Sequence, residues 1–207
     1  MTDEKLVMNA NATNIEYANG SAWEEWQKEY QYGAFYIFPP KGIIEPIDEL
    51  RCEYDPKSHA ISPAHISLSE PLRQPLTEAQ VGELKAALAQ MEPFEIHYGP
   101  LRSFPPSPGV VYSIEPDDTF MNLRLLIHSV SIFRDVELKH KDIPPHMTIA
   151  EFGLGEDMEQ TNRLLEELGG IVPTDIFLCT WCSGKVAFTA AADEKRDLCN
   201  AAVAVLQ

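Results

Sequence analysis

The stretch PAHISLSE, Pro63 to Glu70, returns in altered form as PPHMTIAE, Pro144 to Glu151. Each copy runs Pro, any residue, His, apolar, Ser or Thr, apolar, small, Glu. In an extended chain successive side chains alternate between faces, so His65 and Ser67 point one way and Ile66 and Leu68 the other. His146 and Thr148 are set apart from Met147 and Ile149 in the same manner. The apolar face suits packing against helices. The other face carries an imidazole and a hydroxyl where a strand buried on both sides would carry valine or isoleucine, so it should look into a cleft.

The surroundings repeat as well. GAFYIFPP (Gly33 to Pro40) and GVVYSIEP (Gly109 to Pro116) share a frame of Gly, two residues, Tyr, three residues, Pro. Each reads as a strand stopped by proline. After the first, the spacing predicts a helix over Ile43 to Tyr54, with Pro46 tolerable only in its first turn. The His strand follows, then a helix over Leu76 to Met91 that Thr77 can cap and that buries Val81, Leu84, Leu88 and Met91. A strand over Phe94 to Leu101 and a proline-rich loop, Arg102 to Gly109, close the first copy. The second copy predicts a helix from Asp117 to Phe133, its own His strand and a helix from Asp157 to Leu168. A hairpin of DIFLCTW (Asp175 to Trp181) with VAFTAA (Val186 to Ala191) then precedes a helical tail from Asp193.

An ancient duplication accounts for this order. The expected fold is α+β: a bilobal, pseudo-symmetric arrangement of two antiparallel sheets flanked by helices, with a central groove between the lobes. Residues 1–31 form a polar leader with a short helix around SAWEEWQKEYQ, and residues 32–207 form a single domain. Within it the repeat sets lobes of about 32–108 and 109–191, followed by a tail, 192–207.

Composition narrows the function. The 207 residues include 32 acidic and 16 basic side chains, a net charge of −16, which disfavours broad contact with the phosphates of duplex DNA. A small nucleotide or an RNA end fits that balance better than a long strand, which would need a sustained basic track. Cys52, Cys179, Cys182 and Cys199 are too irregular for a disulfide framework, and the start of the chain lacks the basic and apolar regions of a signal peptide. No apolar run approaches the ~20 residues of a membrane span. A cytoplasmic monomer without membrane contact is expected.

If the two polar faces oppose each other across one groove, two imidazoles and two hydroxyls surround a common centre. Histidine exchanges protons near neutrality, so one ring can activate a nucleophile while the other protonates a leaving oxygen. The hydroxyls of Ser67 and Thr148 can bond the nonbridging oxygens of a phosphate. The motifs supply two histidines and no third metal ligand at obvious spacing, so no metal and no cofactor are expected. Cys179 and Cys182 form a CxxC within strand-like sequence, which reads as core cysteine. His59, His97, His128 and His140 lack repeated context and read as surface or packing residues. Arg102 and Phe104 are candidates for a phosphate partner and a base-stacking ring; a stiff loop with a solvated arginine and an inward phenylalanine is the other reading. Arg51, Lys57 and the run Lys139, His140, Lys141 read as solvated charge.

The paired HISL and HMTI motifs, with their matching contexts from Tyr32 to Ala191, resemble the signature of the two-histidine (2H) phosphoesterase superfamily. That superfamily includes 2′-5′ RNA ligase-like proteins and cyclic nucleotide phosphodiesterases. The resemblance implies a bilobal fold in which His65, Ser67, His146 and Thr148 face a central groove. It also implies metal-independent chemistry on 2′,3′-cyclic or 2′-5′ phosphodiester bonds of nucleotides or RNA ends, with the histidines as acid and base. The alternatives are 2′-5′ RNA ligation and a groove that binds nucleotides or RNA ends without turnover.

Overall fold

The computed structural model describes residues 28–92, 94–104, 107–139, 142–152, 158–169, 175–179, 187–189 and 202–206. The expected leader, most of its short helix, His140, Lys141 and Cys182 lie outside them. In chain order the elements are β1 (Ala34–Phe38), α1 (Lys41–Tyr54), α2 (Pro56–Ile61), β2 (Ile66–Ser67), α3 (Glu78–Leu88), β3 (Phe94–Phe104) and β4 (Ser107–Glu115). They continue with α4 (Asp117–His128), a 3-10 turn (Ser131–Phe133), β5 (His146–Glu151), α5 (Met158–Leu168), β6 (Asp175–Cys179), β7 (Ala187–Thr189) and β8 (Ala202–Leu206).

Local chemistry explains most boundaries. Thr77 and Gln80 close a reciprocal capping box at the start of α3. Asp55 begins α2 by accepting from the Ser58 amide, with Pro56 in the first turn, where its missing N–H costs nothing. Helix α1 starts earlier than its apolar spacing predicts, which puts Pro46 beyond the first turn. The carbonyl that Pro46 cannot bond belongs to exposed Gly42, so water can reach it. Helix α4 stops at His128 rather than at Phe133; the 3-10 turn then delivers Ile132 and Phe133 to the core.

The strands form two four-stranded sheets, ordered β2-β1-β8-β7 and β5-β4-β3-β6. All pairs are antiparallel except β7 with β8. Each sheet places a strand of the Gly-Tyr frame (β1 or β4) between a His strand (β2 or β5) and one further long strand (β8 or β3). The sheets therefore divide the chain differently from the sequence repeat. β3, which precedes the second frame, lies in the second sheet, and its counterpart in the first sheet comes from the far end of the chain. Two expectations fail here. Ala202–Leu206, in the tail expected to be helical, form a strand, the rest of that tail with Cys199 lying outside the described residues, and the segments expected to form a hairpin contribute β6 and β7 to different sheets. The run AAVAVL carries no polar residue, the pattern of a strand flanked on both sides, as β8 is by β1 and β7.

One continuous core joins the inner faces of both sheets. Phe35, Ile37, Ile66 and Leu68 of the first meet Tyr112, Met147 and Ile149 of the second, with Leu84 of α3, Phe120, Leu123 and Ile127 of α4 and Leu164 of α5 against them.

The two frame glycines answer different demands. Gly33 turns the chain into β1 at φ 78°, a left-handed conformation that side chains disfavour. Gly109 sits opposite Glu151, and a Cβ there would stand 2.8 Å from the Ala150 carbonyl oxygen. Gly82, by contrast, has open space on α3. Gly109→Ala should therefore lower unfolding stability by about 1–3 kcal/mol, and Gly82→Ala should raise it by about 1 kcal/mol. Urea midpoints measure both; an unchanged midpoint for Gly109→Ala contradicts the close approach.

Candidate active site

Both His strands are edge strands, and β2 and β5 approach each other along those edges. The alternation read from sequence holds at each. Ile66, Leu68, Met147 and Ile149 are buried, whereas His65, Ser67, His146 and Thr148 keep partial exposure. The first strand is only two residues long, so His65 sits just outside its ladder.

The two imidazoles are held alike. His65 Nδ1 lies 2.8 Å from the Pro63 carbonyl oxygen, and His146 Nδ1 lies 2.9 Å from that of Pro144. A carbonyl can only accept, so Nδ1 carries the hydrogen and Nε2 is the basic nitrogen of the neutral ring. The Pro-x-His spacing of both motifs thereby acquires a physical reason, since the carbonyl two residues back fixes the tautomer.

His65 is further boxed by aromatic rings, Tyr36 at 4.4 Å edge-on and Phe38 at 6.0 Å between centroids. Its face of the first sheet is thus walled rather than open: Ala34, Tyr36 and Phe38 form a small buried cluster with Tyr30 and Ile44. Burial pushes the His65 pKa down to about 4, helped by the Arg51 guanidinium and by His146 and opposed by the Pro63 hydrogen bond. The two rings are close enough for charge on one to disfavour charge on the other.

Ser67 pairs with Tyr36, and Thr148 with Val111. Val111 in turn pairs with Arg102, so Thr148, Val111 and Arg102 share one face across three strands. Arg102 is therefore on a strand, since β3 runs on to Phe104 and β4 starts at Ser107, both within the stretch expected to be a proline-rich loop. Arg102 is partly buried, and its Nε has no hydrogen-bond partner among the described residues. Phe104 ends β3 opposite Ser107; its side chain lies outside the described residues.

The largest departure from the sequence reading is Arg51. It is 3% exposed, not solvated. Its Nη1 donates to the Thr148 carbonyl at 2.8 Å, its Nη2 to the Ser62 carbonyl at 2.9 Å, and its Nε lies 3.2 Å from Asp48 Oδ1. Asp48 also accepts from the Ala64 amide, beside His65. Arg124, 4% exposed, donates to the carbonyls of Ile143 at 2.6 Å and Ser67 at 3.2 Å. The repeated glutamates, whose recurrence the sequence leaves unexplained, are gripped by their amides: Glu151 N–H donates to Asp55 Oδ2 and Glu70 N–H to His128 Nε2. His128 also stacks on Phe133. Among the described residues no cluster of three or more His, Cys, Asp or Glu could hold a metal ion, and no helix is long and apolar enough to cross a membrane. Lys57 and Lys139 are exposed, as solvated charge should be.

Burial also lowers the pKa of His128, with Glu70 opposing the shift. Below the unfolded value near ~6.5, the unfolded chain binds protons that folded His65 and His128 refuse, so stability present above that pH is lost as pH falls. The urea midpoint should drop between pH 7 and pH 5, and His128→Gln, whose carbonyl oxygen can still accept from Glu70, should flatten the drop. A slope unchanged by that substitution contradicts the role given to His128.

The family model described as the 2'-5' RNA ligase superfamily matches residues 39–174, which include both motifs and both buried arginines. A protein of Bacillus cytotoxicus named "Putative phosphoesterase" is 34% identical over 120 residues, covering 56% of this chain and 66% of the relative. Proteins of the same name from Bacillus thuringiensis and Bacillus cereus match at the same identity and coverage. The alignments thus span just under two thirds of these relatives. With the match extending over more than half of its length, the chain belongs to the 2'-5' RNA ligase superfamily.

Proposed function

We propose that the protein is a metal-independent phosphodiesterase that opens 2′,3′-cyclic phosphates, or related 2′-5′ linkages, of nucleotides or RNA ends. The observation that carries this reading is the matched pair of imidazoles, each with Nδ1 tied to the carbonyl of the proline two residues before it, so that Nε2 is the proton-exchanging nitrogen of both. The family match and the relatives' phosphoesterase names support it.

The low pKa of His65 suggests the division of labour. A ring held at about 4 rests neutral near pH 7, so it suits the base, and His146 takes the acid role. His65 Nε2 takes a proton from water as the water oxygen bonds to phosphorus. The bond from phosphorus to one ribose oxygen breaks, and that oxygen takes a proton from His146 Nε2. Both Nδ1–H groups keep their proline carbonyls throughout, so neither ring need turn. Ser67 and Thr148 donate to the nonbridging oxygens. Arg102, in the same row as Thr148 with an unpartnered Nε, supplies positive charge to the phosphate. The acidic chain favours a small nucleotide or an RNA end as the partner.

Purified protein should hydrolyse a 2′,3′-cyclic nucleotide in EDTA, and His65→Ala or His146→Ala should each cost at least ~100-fold in kcat. Arg102→Ala should act mainly on KM. Steady-state rates with product mapping test this, and cleaved RNA halves offered in parallel separate hydrolysis from ligation. Full activity in either histidine variant would sink the acid-base pair, and binding without product would point to the non-catalytic alternative.

A further inference from the structure

The bonds around the two motifs follow a rule. Arg51 on α1 holds the carbonyl three residues before His65, that of Ser62, and the carbonyl two residues after His146, that of Thr148. Arg124 on α4 holds the carbonyl three residues before His146, that of Ile143, and the carbonyl two residues after His65, that of Ser67. One helical turn beyond each arginine, an acceptor takes the amide five residues past the opposite histidine: Asp55 from Glu151 and His128 from Glu70. Each helix thus grips the approach to its own histidine and the exit from the other, and it does so at the backbone of the residue that bears the hydroxyl.

We propose that Arg51 and Arg124 are reciprocal positioning residues for the active site, each setting the distance between its own lobe's histidine and the other lobe's hydroxyl. This rests on the reading of the paired motifs as one phosphodiesterase site. An in-line displacement needs the acid, the base and the phosphate clamp at one separation, and a misplacement of 1 Å can cost about 100-fold in rate. The guanidinium suits this role because its planar fork sends donors to two carbonyls in fixed directions, which a lysine ammonium on a flexible stem does not. Both arginines are desolvated, so neither guanidinium has water as a substitute for its carbonyl partners. Two of the four carbonyls, those of Ser67 and Thr148, lie on edge strands, where a carbonyl turned away from the sheet lacks a ladder partner, and those of Ser62 and Ile143 lie just before the same strands.

Three variants separate positioning from mere support: Arg51→Lys and Arg124→Lys, which keep the charge but lose the fork, and Arg51→Gln, which loses the charge. With a 2′,3′-cyclic nucleotide in EDTA, each lysine variant that melts as a folded protein should lose about 100-fold in kcat with KM changed only a few-fold. A ring-proton NMR titration gives a second readout. The groups around His65 are Tyr36 and Phe38 on β1, Ser62 and the Pro63 carbonyl before β2, Arg51 on α1 and His146 on β5. Arg51→Gln should raise the His65 midpoint, whereas Arg124→Lys should leave it in place. Lower melting temperatures with kcat unchanged in both lysine variants would overturn the proposal.

Turnover is not needed to judge the clasp. If the wild type releases no product, the phosphodiesterase reading fails by itself. Inorganic phosphate should still move the His65 and His146 ring signals with one midpoint, and either lysine variant should weaken that midpoint at least 10-fold. Equal midpoints in wild type and variants would overturn the clasp on their own.

Discussion

Two buried guanidiniums hold the halves of this structure in register. A site assembled from two strands needs those strands at the edges of their sheets, where side chains can face a partner across a groove. Edges leave carbonyls unpaired, and unpaired buried carbonyls are costly. Arg51 and Arg124 meet that demand from the neighbouring helices, and because each reaches both motifs, satisfying the edges also joins the sheets. The continuous core beneath could tolerate small slips between sheets; four charge-assisted bonds to named carbonyls could not.

The symmetry is geometric and not chemical. Both histidines share a tautomer lock, yet His65 lies in a box of Tyr36 and Phe38 and beside the Arg51 charge. One exit clamp is a carboxylate, Asp55, and the other an imidazole, His128, which accepts only while neutral. A duplicated fold can thus place two equivalent residues in different surroundings without moving them, the kind of asymmetry that lets paired titratable groups take different roles.

Much of this was legible in the sequence, and the failures have physical causes. The repeat, the alternation of His and hydroxyl against apolar residues, and the cap at Thr77 are local signals, and the structure follows them. Arg51 was not legible: on a charged amphipathic helix an arginine reads as surface, and its burial depends on a carbonyl 97 residues away. The glycine-led frame set the start of the repeat at β1 and β4, whereas in space each unit begins one strand earlier, with β8 and β3. That offset hid the role of the tail. The apolar run at 201–206 carried the missing signal, since six residues without a polar face suit a flanked strand better than a terminal helix. Arg102 was masked by the prolines after it, which read as loop although the ladder persists to Phe104.

On the proposed reading, two half-sites, one from each motif, act as a single catalytic unit. The direct measurement is the metal-free turnover of His65→Ala, His146→Ala and the double variant on one 2′,3′-cyclic phosphate. Groups that act as a unit are non-additive, so the double variant should be no slower than the slower single one. Losses that multiply would mean that the histidines work independently and not as one unit.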